Sequence, residues 1–189
     1  MTEDADDRAT TGAGGAGGDS ELTHTDEEGE VQMVNVGDKP DTARRAVAAG
    51  EIRLQPETVT AIRDNDLSKG DVLATARVGA VQAVKHTWET IPMCHQIPIT
   101  NVETDFDLGE DRVALEVAVE TTGKTGCEME ALEGVTTGLN VVWDMVKAAE
   151  KSAESSSDRD AEASGDTADQ YPETEIRNVR VVEKTKTEL

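Results

Sequence analysis

The chain has 189 residues, enough for one ordinary domain and hardly for two. It contains 40 acidic and 18 basic residues, so its formal net charge at pH 7 is -22. A surface of that sign repels nucleic-acid phosphates and anionic membranes, so neither is an expected partner. The first residues are acidic, so we expect no signal peptide, and no apolar run reaches the about 18 residues that a membrane helix requires. Two cysteines make no disulfide framework, and the composition favours a protein of the reducing cytoplasm.

The negative charge is concentrated in two segments but is not confined to them. Residues 1–31 hold ten acidic residues and one arginine, and residues 151–170 hold six acidic and two basic residues. Because little in either is apolar, we predict a disordered tail at 1–31 and a flexible insertion at about 152–170 in one domain, 32–189. The remainder is also acidic, with few lysines and aromatics. This favours a high-salt cytoplasm, and the alternative is an acidic protein of ordinary salt with disordered tails.

The first patterned stretch predicts a helix, a strand and a second helix in close succession. Thr42–Ala49 is predicted to be a short helix, with Asp41 as its N-cap and Gly50 just beyond its end. Glu51–Gln55 is a strand candidate, and Pro56 is typical of the first position of a helix.

The middle of the chain predicts one long helix, a loop and a pair of strands. A break at Asp64–Gly70 precedes a helix from about Asp71 to Trp88 that is rich in alanine and valine. The two prolines of Ile91–Pro98 exclude a helix there. Residues 102–108 and 113–119 alternate apolar and polar side chains, which predicts two strands joined by a three-residue hairpin loop.

The last part of the chain completes a recognisable order of elements. A polar loop at Thr121–Gly126 is followed by an amphipathic helix at Glu128–Glu150 and a closing strand at Glu175–Lys184. The order predicts an α+β, ferredoxin-like split βαβ fold, in which helices pack on one face of an antiparallel sheet. This fold hosts many chemistries, so it does not by itself indicate a function.

Asp144 and Lys147 are the first candidates for chemistry. They are three residues apart on the predicted last helix and therefore share one face, although such a pair is most often a surface ion pair. Lys69 lies in the predicted break before the long helix. In so negative a protein, an anionic substrate would need a local group of positive charge.

The start of the last helix offers a second group of candidates. The glycine-containing loop before it brings Lys124 and several backbone N–H groups together, which could cradle a phosphate, although the spacing is not that of a Walker A loop. Glu128 and Glu130 point to different sides of a helix, so they form no dyad by sequence alone. The alternative is ordinary placement of acids at the positive end of a helix.

Cys94 and His95 adjoin in the proline-flanked loop. A zinc site is disfavoured because no second Cys/His cluster has ligand spacing, and adjacent residues rarely orient as nucleophile and base. A loop that contacts substrate is the favoured functional interpretation, and a partly buried structural histidine is the alternative.

Six short segments have a specific order. They are Met33–Val36, Lys69–Val72, Ala74–Arg77, Ile91–His95, Thr122–Leu132 and Trp143–Ala148. Together they resemble the cyclic pyranopterin monophosphate synthase family, whose members catalyse the second step of molybdenum cofactor biosynthesis. The resemblance covers about 31–151 and 171–186. Asn35 departs from it, because the family usually has aspartate there.

The resemblance implies a lyase that converts (8S)-3′,8-cyclo-7,8-dihydroguanosine 5′-triphosphate to cyclic pyranopterin monophosphate and releases diphosphate, with no metal or redox cofactor. It implies a homohexamer, a trimer of dimers, with active sites at subunit interfaces. Asp144 is then the catalytic acid/base, with Lys69 and Lys147 as catalytic partners. The substrate-binding candidates are Met93, Cys94, His95, Lys124, Glu128, Met129, Glu130 and Lys184.

Two other classes of function remain open from the sequence. One is a non-catalytic, ferredoxin-like regulatory domain that binds a nucleotide or a pterin. The other is an acidic scaffold that acts through its tails. Replacing Asp144 by asparagine would stop the enzyme but not a binding module, and deleting residues 1–30 would disable only the scaffold.

Overall fold

The computed structural model describes residues 30–151, 171 and 174–189. Met1–Val34 form a unit of their own, of which only the last five residues are described. The second unit, Asn35–Leu189, contains every helix and strand named below. The predicted 152–170 insertion, and the predicted acidic tail except for its last two residues, lie outside the described residues.

Four antiparallel strands form one sheet in the order β2-β3-β1-β4. The strands are β1 Thr42–Arg53, β2 Ile99–Leu108, β3 Arg112–Gly123 and β4 Glu175–Glu188. The central strand β1 pairs with β3 on one side and β4 on the other, and β2 pairs with β3. Together with the helices this is the split βαβ arrangement, so the predicted α+β ferredoxin-like fold is confirmed.

Three helices connect the strands: α1 Pro56–Arg63, α2 Val72–Thr90 and α3 Glu128–Val146. The predicted break between α1 and α2 is a tight turn with positive φ at Asn65 and Gly70. Asp71 caps α2, because its carboxylate accepts a hydrogen bond from the Ala74 N–H at 2.9 Å. Among the described residues, the longest helices are too polar to cross a membrane.

The predicted helix at Thr42–Ala49 is wrong, because these residues form the first part of β1. Alanine-rich sequence favours a helix by propensity, but β1 is paired on both sides and none of its residues is fully exposed. Ala46, Val47 and Ala48 are 1%, 2% and 0% exposed. A strand buried on both faces loses its alternation, so periodicity does not distinguish it from a buried helix. Of the strand predicted at Glu51–Gln55, the first three residues form the end of β1, which stops at Arg53.

Several predicted boundaries also move, and two of them lie beside candidate site residues. The first residues of the loop predicted at Thr121–Gly126 belong to β3, which continues to Gly123. The last helix ends at Val146, four residues before the predicted Glu150. Helix ends are the least determined part of an amphipathic pattern, because the last turn carries few apolar positions.

The helix α3 packs closely against both the sheet and α2. A Cβ atom on Gly138 would lie 2.5 Å from Leu115 Cδ2 and 3.3 Å from Ala80 Cβ. A Cβ atom on Gly134 would lie 2.8 Å from Val84 Cγ2. A side chain at either position would force its neighbours to shift, so glycine allows the middle of α3 to approach the sheet and α2 closely.

Candidate functional site

The three predicted catalytic residues come together at the end of α3. Asp144 lies in the last turn of α3 and Lys147 is its C-cap, so the two share one face, as their spacing predicts. Lys147 Nζ donates to Asp144 Oδ1 at 2.7 Å. From the loop between α1 and α2, Lys69 Nζ donates to Asp144 Oδ2 at 3.2 Å and also to the Asp144 backbone carbonyl. We call Lys69, Asp144 and Lys147 the C-terminal cluster.

The C-terminal cluster is open to solvent, and its opposite charges hold one another. The side chain of Asp144 is 60% exposed, and that of Lys147 is 50% exposed. The hydrogen bond from Lys147, followed by that from Lys69, lowers the pKa of Asp144. The same bond raises the pKa of Lys147. The cluster therefore offers an ionised carboxylate that can accept a proton, beside two ammonium groups that can stabilise developing negative charge.

A second charged group lies at the other end of α3. Glu128 is the first residue of α3 and forms an ion pair with Lys184 of β4. Lys184 lies opposite the buried Ala46 in the sheet register, so its side chain lies on the face that the helices cover. Burial alone would raise the pKa of Glu128. The hydrogen bond from Lys184, with the charge of Arg44, outweighs burial and lowers that pKa.

Glu130 is the buried carboxyl of this end. It is 4% exposed, and burial raises its pKa to about 7; a backbone N–H partly opposes this, and the charge of Glu128 adds to it. Cys127 is buried next to it, and burial, followed by the charges of Glu130 and Glu128, raises the pKa of its thiol to about 11. Glu130 can therefore exchange a proton near neutral pH, whereas Cys127 remains a thiol. We call Glu128, Glu130 and Lys184 the N-terminal cluster.

The loop Ile91–Pro98 comes close to the N-terminal cluster. Burial, followed by the charge of Glu130, raises the pKa of Cys94. A protonated thiol is a poor nucleophile, which favours contact with substrate over covalent catalysis for this residue. The other predicted contact residues of this region keep part of their surface open to solvent: Met93, His95 and Met129. In the described part of the chain, no three side chains of metal-binding type come together.

The loop between β3 and α3 is fixed from two sides. Lys124 Nζ donates to the Gly37 carbonyl. Arg44 of β1 donates to the Gly123 carbonyl at 3.4 Å and to the Lys124 carbonyl at 3.3 Å. The predicted phosphate cradle stays a prediction, and its lysine is engaged by a backbone carbonyl here.

Two residues near the clusters were missed by sequence reasoning. Arg44 was hidden because its segment was predicted to be a helix, whereas the strand register puts it opposite Thr121. Tyr171 packs edge-on against Trp143, the residue before Asp144, with ring centroids 6.2 Å apart. No local pattern marks Tyr171, because it follows the long acidic segment. A correct assignment of β1 would have revealed Arg44.

The two clusters lie at opposite ends of α3 and do not meet within one chain. Glu130 and Asp144 are 14 positions apart on this helix, which at 1.5 Å per residue separates them by about 21 Å. The structure therefore brings the catalytic candidates together and, separately, groups Glu128, Glu130 and Lys184. Within one chain the two clusters are separate.

One family model matches a range of the chain that includes both clusters. Residues 33–187 match the model of the MoaC family. This range contains every site candidate named above.

Curated relatives match over nearly their whole length. A protein from Natronomonas pharaonis, named probable cyclic pyranopterin monophosphate synthase, is 68% identical over 171 residues, which are 90% of this chain and 98% of the relative. A protein of the same name from Halobacterium salinarum is 67% identical over 170 residues, covering 90% and 96%. A protein from Methanothermobacter thermautotrophicus, named probable cyclic pyranopterin monophosphate synthase accessory protein, is 49% identical over 169 residues, covering 89% and 97%.

Proposed function

The chain belongs to the MoaC family, and from this membership we propose that it is a cyclic pyranopterin monophosphate synthase of molybdenum cofactor biosynthesis. The two relatives that carry this name at 68% and 67% identity align over almost all of their own length, which supports transfer of the whole activity. We assign the reaction to the lyases. The substrate is the 3′,8-cyclised dihydro-GTP, and the products are cyclic pyranopterin monophosphate and diphosphate.

The observation in the structure that best supports this proposal is the C-terminal cluster. Rebuilding a purine-derived ring requires several proton transfers, and expelling diphosphate builds negative charge on the phosphate oxygens. Asp144, kept ionised by Lys147 at 2.7 Å and Lys69 at 3.2 Å, takes up a proton from the substrate. The two ammonium groups stabilise the phosphate charge as it develops.

The N-terminal cluster supplies recognition of the heterocycle. Glu128 is ionised by its pairing with Lys184, so it accepts hydrogen bonds, whereas Glu130, with a pKa of about 7, can also donate one. A pterin-like ring presents both donors and acceptors along its edge. One ionised and one protonated carboxyl are complementary to such an edge.

We further propose that the functional site forms between copies of the chain. About 21 Å of helix separates the two clusters, which is too far for a single reacting centre to touch both. In the expected homohexamer, the C-terminal cluster of one copy would meet the N-terminal cluster of another copy. The assembly would then be a condition of activity.

The test of the activity is diphosphate release from the cyclised dihydro-GTP in concentrated KCl. We expect release by the wild type and loss of release in Asp144→Asn. The matched control is Asp107→Asn, an exposed carboxylate paired with Arg112 away from the cluster. If the wild type binds the substrate but releases no diphosphate, the proposed enzyme is wrong and a ligand-binding domain replaces it.

The test of the shared site is complementation between two inactive variants. Asp144→Asn lacks the catalytic carboxylate, and Lys184→Ala lacks the partner of Glu128 at the other half-site. Mixed oligomers of the two are expected to regain part of the activity, because some sites combine two intact halves. Mixed oligomers that stay as inactive as the separate variants would show that each chain holds its own complete site.

A further inference from the structure

Glu150 is a fully buried carboxylate outside both clusters. It lies four residues beyond the end of α3 and is 0% exposed, although glutamate is almost never fully buried unless it is paired. The two carboxylate oxygens lie 3.1 and 3.3 Å from the Gln55 backbone nitrogen, whose N–H they accept. One of them also accepts the Thr174 hydroxyl at 2.6 Å. All of these donors are neutral groups.

These bonds join three separate segments of the chain. Gln55 is the N-cap of α1, and its own side chain makes no cap hydrogen bond. The carboxylate of Glu150 provides an acceptor there, and the positive end of α1 offsets its negative charge. Gln55 Nε2 in turn donates to the Glu150 backbone carbonyl at 3.1 Å. Thr174 immediately precedes β4, so Glu150 ties the turn after α3 to both α1 and β4.

Both lysines of the C-terminal cluster are carried by segments that Glu150 joins. Lys147 lies three residues before Glu150 in the same turn, where the Lys147 N–H donates to the Trp143 carbonyl at 2.8 Å and the Glu150 N–H to the Val146 carbonyl at 3.2 Å. Lys69 lies in the turn that follows α1. The Glu150–Gln55 contact therefore ties the turn that carries Lys147 to the start of α1, and α1 leads into the turn that carries Lys69.

We propose that Glu150 is a positioning residue for the C-terminal cluster: by tying the turn after α3 to the start of α1, it holds Lys147 and Lys69 on either side of Asp144. This inference rests on the proposed function, in which that cluster carries the chemistry. A displacement of about 1 Å at a reacting centre lowers a rate by about 100-fold. The N-terminal cluster lies at the far end of α3, so loss of Glu150 acts on kcat and leaves KM nearly unchanged.

The first test compares Glu150→Ala with Glu150→Gln and a control, Glu51→Ala. Glu51 is also held by several side chains, with Arg177 at 2.8 Å and Arg112 at 3.2 Å, and these partners all lie on the sheet. Both alanine variants are expected to lower thermal stability, but only Glu150→Ala lowers kcat, by about 10- to 100-fold. Glu150→Gln keeps an oxygen for the Gln55 N–H and recovers most of the turnover. A kcat of Glu150→Ala equal to that of Glu51→Ala would overturn the proposal.

The second test does not depend on turnover. The carboxyl carbon of Asp144, assigned by its absence in Asp144→Asn, is titrated by NMR in each variant. In the wild type it titrates at a lowered pKa, because Lys147 and Lys69 are held against it. The midpoint is expected to rise in Glu150→Ala and to stay in place in Glu51→Ala.

The two tests separate the two ideas. An unshifted Asp144 midpoint in Glu150→Ala overturns the positioning role whatever the turnover. Conversely, Asp144→Asn that still releases diphosphate overturns the catalytic role of Asp144, and the titration still decides whether Glu150 places the lysines.

Discussion

The two ends of α3 hold acidic side chains in opposite ways. At the C-terminal end, Asp144 is exposed to water between two lysines, whose hydrogen bonds lower its pKa. At the N-terminal end, Glu130 is 4% exposed, and burial raises its pKa to about 7. The same functional group is ionised at one end and near its midpoint at the other. Environment, more than residue type, decides what each carboxyl can do.

In the proposed reaction, the exposed end would carry out proton transfer and the buried end would recognise the ring of the substrate. An exposed cluster of fixed charge can reach a substrate that another copy holds. A buried carboxyl in a rigid helix end can recognise a ring edge, because its position and its proton are set by the fold.

The largest expected effect is that of Lys147→Ala, which removes one of the two ammonium groups that keep Asp144 ionised at the exposed end of α3. Asp144 loses its 2.7 Å hydrogen bond, so its pKa rises and fewer carboxylates are ionised at a given pH. Turnover is expected to fall by about 1,000-fold, within the range for loss of acid–base catalysis. The acidic limb of the pH–rate profile should move to higher pH.

The control for this variant is Lys151→Ala, an exposed lysine one turn further along the chain. It should leave the diphosphate-release assay unchanged. Normal turnover in Lys147→Ala would contradict the assignment of Lys147 to the catalytic group.

The next prediction concerns Glu130, at the buried end of α3: its proton makes the free energy of unfolding depend on pH. The native state keeps a proton on Glu130 up to about pH 7, whereas an unfolded glutamate releases it near 4.5. The stability that this proton contributes is therefore present below pH 4.5 and is lost as the pH rises through 7. From the 4.5 and 7 values the loss is at most about 3 kcal/mol.

Denaturant unfolding of the wild type and Glu130→Gln at pH 5 and pH 8 measures this loss. The variant should lose less stability than the wild type between the two pH values. Glu133→Gln, on the same helix but only half-buried, is the control. Equal pH dependence in the wild type and Glu130→Gln would mean that Glu130 is not held protonated by burial.

A third prediction concerns the helix that separates the two ends. Gly138→Ala places a Cβ atom 2.5 Å from Leu115 Cδ2, which forces α3 away from the sheet. Overpacking of this kind lowers the free energy of unfolding by about 1–3 kcal/mol. Asn140→Ala, at an exposed position of α3, should be nearly neutral in thermal unfolding. A neutral Gly138→Ala would show that α3 has room to move.

The smallest effect is a difference in reactivity between the two cysteines. Cys127 is 1% exposed with a pKa of about 11, so it should resist alkylation of the native protein at neutral pH. Cys94 is partly exposed, so it should react first, and slowly, because burial raises the pKa of its thiol. Mass spectrometry after timed alkylation separates the two. Labelling of Cys127 at the rate of Cys94 would indicate that the N-terminal end of α3 opens.

Sequence patterns predicted the second half of the fold well because its elements have one clear buried face. In β2, Val102 and Phe106 face the core side and alternate with the exposed Glu103 and Asp105. The first strand failed for the opposite reason. Ala46, Val47 and Ala48 are buried in succession, so neither alternation nor propensity revealed the strand.

The site was predictable to the extent that helical spacing or motif resemblance carried it. The three-residue spacing predicts that Asp144 and Lys147 meet, whereas Lys69, 75 positions from Asp144, was assigned through the resemblance. Glu150 and Arg44 were not found, because their roles depend on contacts between segments distant in the chain. Helical rise alone would have shown that the two clusters lie apart.

The outer strand β4 has a consequence for how the protein behaves in a crowded solution. Its register with β1 breaks twice, between Val47 and Ala48 and between Ala49 and Glu51, and Asn178 has a positive φ of 59°. Such bulges bend and twist a strand, so its 14 residues do not offer a straight row of free backbone groups. Lysines at 184 and 186 add charge along it. A strand from another molecule pairs poorly with such an edge, and this protects the folded chain from β-sheet aggregation.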